Sequence, residues 1–211
     1  MGGCQQIWPL RLKDGEKKGK SLLDRMASNT SIIQKYVQLL KNYNINSRFN
    51  DDTYAWLSTI LALKAIDSGN LGIGSILMND KNEVVAMGHN KVFHPFFRSD
   101  AHAEMIVMNK FEKQNQRINS MRGYCLYTSL EPCPMCLTRL ITSGVEKVLH
   151  VAPDIYAGMV HLKDRLPEIW QSLLQDQIFE PAKCSPEIVA ISEDIFRINQ
   201  ETLDSKIKDR R

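Results

Sequence analysis

Residues 124–151 decide the fold and read YCLYTSLEPCPMCLTRLITSGVEKVLHV. The apolar and aromatic run over 124–128, which includes two tyrosines and ends on a threonine, predicts a strand. A helix over 134–143 follows, because proline is favoured at the first helical position and Gly144 is suited to the left-handed residue that ends a helix. Residues 147–151 predict a second strand. This alternation of strand, helix and strand indicates an α/β protein.

The rest of the chain supplies further elements of both kinds. Apolar spacing predicts a helix near 31–43, a second that begins at Asp51 or Asp52 and is stopped by Gly69, a hairpin of strands over 71–78 and 83–87, a helix over 101–114, a helix over 162–174, and a last helix capped by Ser185. This order predicts a three-layer α/β/α domain, with helices over both faces of the sheet.

Charge divides the chain into three parts. Residues 1–50 carry nine Lys/Arg and three Asp/Glu, residues 51–150 carry ten of each, and residues 151–211 carry eight and eleven. We therefore predict a basic N-terminal extension over 1–50, a central domain over 51–160, and C-terminal helices over 161–211 that pack on it. Apart from the helix near 31–43, the extension is expected to be partly disordered. The unfolded part includes the basic stretch Arg11, Lys13, Lys17, Lys18 and Lys20.

Apolar runs and cysteines both argue against a membrane or extracellular location. No run approaches the ~20 apolar residues that a membrane-spanning helix needs, so no membrane partner is predicted. The five cysteines are an odd number, and two of them stand three positions apart, which argues against a secreted disulfide framework. The sequence therefore predicts a cytoplasmic protein.

Two short motifs carry metal-binding residue types: His102-Ala103-Glu104 and, further along, Pro132-Cys133-Pro134-Met135-Cys136. Cys133 falls where a helix cap belongs, and the spacing to Cys136 puts both sulfurs on one side of the helix start. The partial positive charge at that end stabilises thiolates. Two such thiolates are half of a zinc site, and His102 would be a third ligand.

Three protein ligands leave one tetrahedral position open, which distinguishes a catalytic zinc from a structural one. Such a zinc lowers the pKa of a bound water towards ~7, and Glu104 would take up and pass on the proton. Residues two apart on a regular helix point roughly 200° from each other. His102 and Glu104 can therefore converge only if His102 lies at the irregular start of its helix, where Ser99 and Asp100 are good capping residues.

The combined motif resembles the signature of zinc-dependent nucleobase deaminases, His-x-Glu followed by Pro-Cys-x-x-Cys. Over about 51–160 the chain resembles the cytidine/deoxycytidylate deaminase superfamily, and within it the guanine deaminase and tRNA adenosine deaminase branch. The resemblance rests on Gly88-His89-Asn90, His102-Ala103-Glu104-Met105 and the stretch over 128–136.

The resemblance implies a fold and a set of roles. The fold is cytidine deaminase-like, with a central mixed five-stranded sheet between helices. Zn²⁺ is held by His102, Cys133 and Cys136, and Glu104 carries the proton to the departing ammonia.

The resemblance also implies contacts with the substrate. Asn90 matches a position that hydrogen-bonds the base or sugar, and the backbone N–H of Ala103 contacts the base. Family members usually associate as dimers, so a homodimer is expected.

Other interpretations of these residues remain open. A Cys-x-x-Cys pair is also typical of redox dithiols, although that leaves the His-Ala-Glu motif unexplained. A closed structural zinc with Cys125 or His89 as fourth ligand would leave Glu104 without a role. Asn90 is also a common residue at the end of a strand. Asp154 stands where an acid behind the metal ligands is possible.

The function predicted is zinc-dependent hydrolytic deamination of an amino-substituted nucleobase, as a free base, nucleoside or nucleotide. This small-molecule substrate is favoured because RNA binding demands clustered Lys/Arg, and the central segment is neutral. The alternative is a tRNA adenosine-to-inosine deaminase, which the basic extension supports if it folds back near the site. A catalytically silent zinc module that binds nucleic acid or protein is an alternative of another class.

Overall fold

Five strands form one mixed sheet in the computed structural model, which describes residues 12–26 and 30–210. The strands are β1 Gly74–Met78, β2 Val84–His89, β3 Cys125–Leu130, β4 Lys147–Ala152 and β5 Ile178–Pro181. The helices are α1 Leu12–Asp24, α2 Ser31–Asn42, α3 Asp52–Asp67, α4 Ala103–Gln114, α5 Pro134–Ser143, α6 Glu168–Leu174, α7 Pro186–Arg197 and α8 Gln200–Lys208, with a 3₁₀ helix over Val160–Arg165.

The strands lie in the order β2-β1-β3-β4-β5. β1 pairs antiparallel with both β2 and β3, while the pairs β3/β4 and β4/β5 are parallel. The predicted hairpin and the mixed five-stranded sheet are therefore confirmed.

Neighbouring residues of the central strands point to opposite faces of the sheet, and each face is covered by helices. One face presents Ile76, Tyr127 and Leu149 to the core that includes α3 and α7. The other presents Leu77, Leu126 and Val148 to the core that includes α4 and α5. The predicted three layers are confirmed, since each face of the sheet buries its own apolar cluster.

Local sequence signals fix several helix ends as expected. α5 covers 134–143, and Gly144 closes it with φ 69°. The Ser185 side chain caps α7 by accepting a hydrogen bond from the backbone N–H of Ile188. α3 ends just before Gly69, which has φ 75°. At its start, however, the Asp51 carboxylate does not cap the helix; it accepts hydrogen bonds from the Tyr127 hydroxyl and the Lys183 backbone.

The lysine-rich stretch of the N-terminal extension is the main departure from expectation. It was expected to be unfolded, but residues 12–24 form α1, whereas Arg11 lies outside the described residues. Gly15, Gly19 and Leu23 are buried and recur every four residues, which makes one apolar face. That face packs on α3, so tertiary contact stabilises a helix that charge alone disfavours.

The segment over 161–211 was expected to consist of helices that pack on the central domain, and here too the structure differs. It contains β5, which pairs with β4 and extends the sheet. The helix predicted over 162–174 is interrupted by Pro167, which separates the 3₁₀ helix from α6. Within the part of the chain that the structure describes, no helix is long and apolar enough to cross a membrane.

Candidate metal centre and catalytic site

The three predicted metal ligands come together at the first residues of two helices. His102 immediately precedes α4 with an extended backbone, φ −67° and ψ 157°, and Cys133 precedes α5 with φ −70° and ψ 169°. Cys136 lies in the first turn of α5. Both helix starts therefore point their free N–H groups and partial positive charge towards the same place, which favours thiolates there.

The distances among the ligand atoms fit a tetrahedral zinc. His102 Nδ1 lies 3.6 Å from Cys133 Sγ and 3.6 Å from Cys136 Sγ. Zn–N bonds of about 2.0–2.1 Å and Zn–S bonds of about 2.3 Å at a tetrahedral angle place the two ligand atoms about 3.5–3.6 Å apart. All three ligand atoms lie within 4.8 Å of one another. The residues present therefore fit the ion that the sequence predicts.

The pKa shifts of the two thiols and of the imidazole also bear on the binding of a cation. Cys133 has its pKa lowered to about 4, first by the hydrogen bond with Cys136 and then by His102, against the effect of burial. The same hydrogen bond, together with burial, raises the pKa of Cys136. Burial lowers the pKa of His102, but the hydrogen bond and charge of Cys133 outweigh it and leave that pKa raised. A divalent cation would displace the remaining protons, because thiolates and neutral imidazole are its ligands.

Glu104 contacts the cluster formed by His102, Cys133 and Cys136 but is not one of its three ligands. Its side chain is 3% exposed, and its Oε2 accepts a hydrogen bond from Cys136 Sγ at 3.4 Å. Burial first, and then the charge of Cys133, raise the pKa of this carboxyl. His102 and Glu104 converge because His102 lies outside the regular helix, as the sequence required. Ser99 and Asp100 do not cap α4, however, since His102 takes the capping position and the Asp100 carboxylate pairs with Arg98.

Sequence reasoning missed the partner of Glu104. Thr128, fully buried on β3, donates from its hydroxyl to Glu104 Oε1 at 3.2 Å. Thr128 stands in the stretch over 128–136, but nothing in a strand pattern indicates which buried hydroxyl meets a carboxylate of another element. The contact fixes one oxygen of Glu104 and leaves the other directed towards the sulfurs.

A second missed feature is the pair of Glu131 and His161. Glu131, next to the Pro132-Cys133 pair, is buried and accepts hydrogen bonds from the backbone of Asp154 and from both the backbone and Nδ1 of His161, the last at 2.7 Å. These bonds tie the chain after β4 to the start of α5. The Asp154 carboxylate itself accepts from the Tyr156 and Ala157 backbones, so it holds its own loop and not a metal ligand.

Ala103 follows His102 directly, and Asn90 is linked to the same segment through its neighbour Lys91. The backbone N–H of Lys91 donates to Ala101 O at 2.9 Å, so the residue after Asn90 is tied to the residue before His102. Asn90 is fully buried; its Oδ1 accepts from the Val92 backbone, but its Nδ2 has no protein partner. Ala103 is the first residue of α4, so its N–H has no acceptor within the helix. Each offers a donor that a ligand can satisfy.

The proposed fourth ligands of a closed zinc site do not join the cluster. Among the described residues, the group of close His, Cys and carboxylate atoms here contains His102, Cys133 and Cys136 alone. Cys125 interacts with Tyr127 and Asp51, and burial raises its pKa to about 12. His89 contacts the Asn90 carbonyl through Nδ1 at 3.0 Å. A three-ligand site is the arrangement that leaves a vertex for chemistry.

Comparison with known proteins places this site in a family context. A family model described as the cytidine and deoxycytidylate deaminase zinc-binding region matches residues 50–152. The chain is similar to a tRNA-specific adenosine deaminase of Bacillus subtilis, 37% identical over 108 residues, which are 51% of this chain and 65% of the relative. It is 33% identical over 110 residues to the tRNA-specific adenosine deaminase of Aquifex aeolicus, covering 51% of this chain and 70% of the relative.

A longer but more distant match is the chloroplastic tRNA(adenine(34)) deaminase of Arabidopsis thaliana, 27% identical over 168 residues, which are 73% of this chain and 12% of that protein. This chain therefore spans less than two thirds of the length of the Bacillus and Arabidopsis relatives. Among solved structures, a guanine deaminase from Nitrosomonas europaea superposes with a TM-score of 0.55 at 18% identity, covering 80% of this chain and 94% of the other. That likeness concerns the fold.

Proposed function

Because this chain belongs to the cytidine and deoxycytidylate deaminase family, we propose that it is a zinc-dependent hydrolytic deaminase that acts on an amino-substituted nucleobase and releases ammonia. The observation that carries the proposal is the 3.4 Å contact between the Glu104 carboxyl and Cys136 Sγ. It puts a buried group with a raised pKa against a three-ligand metal site, and such a group is suited to proton transfer.

The proposed metal ligands are His102, Cys133 and Cys136. When bound there, zinc makes water a nucleophile at neutral pH. Both cysteines are thiolates in that state, so the thiol of Cys136 no longer donates to Glu104 Oε2. This oxygen is then free to accept and return a proton, while Thr128 keeps Oε1 in place.

Glu104 is the group placed to move the protons of the reaction. Hydrolytic deamination consumes one water and releases one ammonia, and the ring carbon exchanges its amino group for an oxygen. The two protons of the water must end on substrate nitrogens, one of them on the departing ammonia. Glu104 carries them by alternating between its carboxylate and carboxyl forms, for which a raised pKa is favourable.

Asn90 and Ala103 are proposed to bind the substrate. The Asn90 Nδ2 has no protein partner although it is buried, and an unsatisfied buried donor costs about 1–3 kcal/mol. An acceptor on the base or sugar would satisfy it. The N–H of Ala103, which follows His102 and has no acceptor within α4, is the second proposed donor.

The test is ammonia release by the zinc-loaded protein from a panel of bases, nucleosides, nucleotides and tRNA. We expect release from at least one member, and loss of release in Glu104→Gln with its zinc content unchanged. Glu104→Gln preserves size and removes the proton carrier. Activity that survives this substitution would contradict the proposed proton transfer. Zinc binding without any release would instead support the silent zinc module.

A tRNA adenosine-to-inosine deaminase is the second candidate, because α1 returns to the catalytic domain and brings its lysines with it. The relatives in Bacillus subtilis and Aquifex aeolicus are tRNA-specific adenosine deaminases. Salt dependence separates the candidates, since RNA affinity falls steeply with salt and turnover of a small substrate does not.

The proposal extends to the whole protein in two respects. We propose a homodimer, as the family resemblance implies, and a cytoplasmic location, as the cysteine pattern implies. Sedimentation of the purified chain tests the first, and fractionation of cells that express it tests the second.

A further inference from the structure

The side chain of Arg139 joins α5 to α4. Its Nη1 donates to Asn109 Oδ1 at 2.6 Å and lies 3.7 Å from Met105 Sδ, while its Nη2 donates to Glu112 Oε2 at 2.8 Å. Met105, Asn109 and Glu112 follow one another at intervals of four and three residues, so they share one face of α4. A single guanidinium of α5 thus contacts two turns of the other helix.

Each of these two helices carries part of the metal site at its start. His102 precedes α4, Cys133 precedes α5, and Cys136 lies in the first turn of α5. Arg139 stands three residues after Cys136, so it lies on the same side of α5 as that ligand. The 3.6 Å distance between His102 Nδ1 and each sulfur therefore depends on how the two helices are placed against each other.

Other contacts leave that placement loosely defined. α4 packs mainly against β1 and β2, whereas α5 packs against α6. Apolar side chains of both helices meet in the core, but such burial is non-directional. Over residues 12–26 and 30–210, one other hydrogen bond joins a side chain of α4 to a side chain of α5, and it is donated by the Cys136 thiol to Glu104. That thiol loses its proton when it binds a metal, so the contacts of Arg139 are the ones that remain.

The ion pair between Arg139 and Glu112 is too exposed to contribute much to folding. Their side chains are 29% and 45% exposed, and pairs at such positions add little to the free energy of unfolding. The planar guanidinium, however, donates in two fixed directions at once, which a lysine ammonium does not do. The contact is therefore better suited to orienting α4 than to stabilising the protein.

We propose that Arg139 is a positioning residue of the metal site. It holds α4 against α5 so that His102 meets the two cysteines and Glu104 lies beside them. This inference rests on the zinc site of the proposed function and adds the side chain that orients it. A site loses function when its supporting groups leave it loose by about 1 Å. Loss of a group that hydrogen-bonds a metal ligand lowers metal affinity by about 10–100-fold, and Arg139 acts one step further away.

The experiment compares Arg139→Gln with Arg197→Gln. Both variants lose one arginine and one ion pair, but Arg197 pairs with Glu193 of its own helix. Asn109→Ala/Glu112→Ala, the α4 variant, removes the contacts of Arg139 from the other side and alters only exposed side chains. Zinc affinity is measured by competition with a chromogenic chelator. The visible absorption of the cobalt-loaded protein reports the coordination geometry.

We expect Arg139→Gln to bind zinc about tenfold more weakly and to show an altered cobalt spectrum. Thermal unfolding of the metal-free protein should change little, because the ion pair is exposed. The α4 variant should show the same loss, and Arg197→Gln should match the wild type. Equal zinc affinity in Arg139→Gln and Arg197→Gln would overturn the proposal. So would a loss that the α4 variant does not share, or one that tracks lowered stability of the metal-free protein.

These outcomes are distinguishable from failure of the proposed function. Zinc affinity that does not depend on Arg139 would overturn the positioning role and leave the deaminase proposal standing. Zinc affinity that depends on Arg139, without ammonia release from any substrate, would overturn the proposed function alone.

Discussion

The hydroxyl of Thr128 on β3 donates a 3.2 Å hydrogen bond to Oε1 of Glu104 on α4. Both side chains are buried, and the two residues come from different layers of the fold. The bond holds one carboxylate oxygen while the other faces the sulfurs, so it orients the group that we propose carries protons. Thr128 is accordingly a positioning residue.

Thr128→Val should lower kcat by about 10- to 100-fold, since a hydrogen bond to a charged group contributes about 1.5–3 kcal/mol. A donor stabilises the ionised carboxylate. Its loss should raise the already raised pKa of Glu104 and move the acid limb of the pH–rate profile to higher pH. Thr59→Val is the matched control, because Thr59 is a buried threonine on α3 that bonds only within its helix. A lower kcat with an unshifted pH profile would indicate a structural role only.

Asn90→Asp tests substrate binding. The substitution keeps the oxygen that accepts from the Val92 backbone and replaces the unpartnered Nδ2 donor. We expect kcat/KM to fall on the order of tenfold or more, because an acceptor of the substrate would then face a carboxylate. Zinc content should not change, since Asn90 is not a ligand. Full kcat/KM in this variant would show that Nδ2 contacts no part of the substrate.

After zinc removal by a chelator, Cys133 should react faster than the other cysteines that the structure describes. The pKa of Cys133 is about 4, so its sulfur is a thiolate above that pH and should react with iodoacetamide between about pH 5 and 7. Cys125 and Cys184 are internal controls, because burial raises the pKa of each to about 12. Mass spectrometry of peptides identifies the alkylated site. Labelling of all three cysteines at equal rates would contradict the electrostatics described for the site.

Glycine substitutions test the packing of α1. Gly15→Ala should stabilise the protein by up to about 1 kcal/mol, because alanine is the better helix former and its Cβ meets only an ordinary contact at 3.8 Å. Gly19→Ala gains the same propensity, but its Cβ would overlap Trp56, so destabilisation of about 1–3 kcal/mol is expected. Thermal unfolding of the two variants measures the difference. Equal stability of both would mean that α1 does not pack at this distance.

Much of the fold follows from local sequence. The proline and glycine that bound α5, and the serine and proline that begin α7, act within a few residues of the ends that they determine. The meeting of His102, Cys133 and Cys136 was also predictable, because the spacing of the two cysteines puts both sulfurs on one side of a helix start.

The features that the sequence could not predict depend on contacts between residues that are distant in the chain. α1 is stabilised by the close approach of Gly19 to Trp56 of α3. Taken without that contact, a glycine within a charged segment argues against a helix. β5 is four residues long and gains its hydrogen bonds from β4, so its own residues carry little signal. The bond from Thr128 to Glu104 likewise requires knowledge of which strand lies beneath α4.

The proposed chemistry requires a zinc ion held by His102, Cys133 and Cys136, with Glu104 beside it and not a ligand. Zinc content per chain, measured by elemental analysis after purification in zinc, tests it most directly. We expect one zinc per chain in the wild type and in Glu104→Gln, and close to none in Cys133→Ser and Cys136→Ser. A wild type without zinc, or a Glu104→Gln variant that loses as much metal as the cysteine variants, would contradict it.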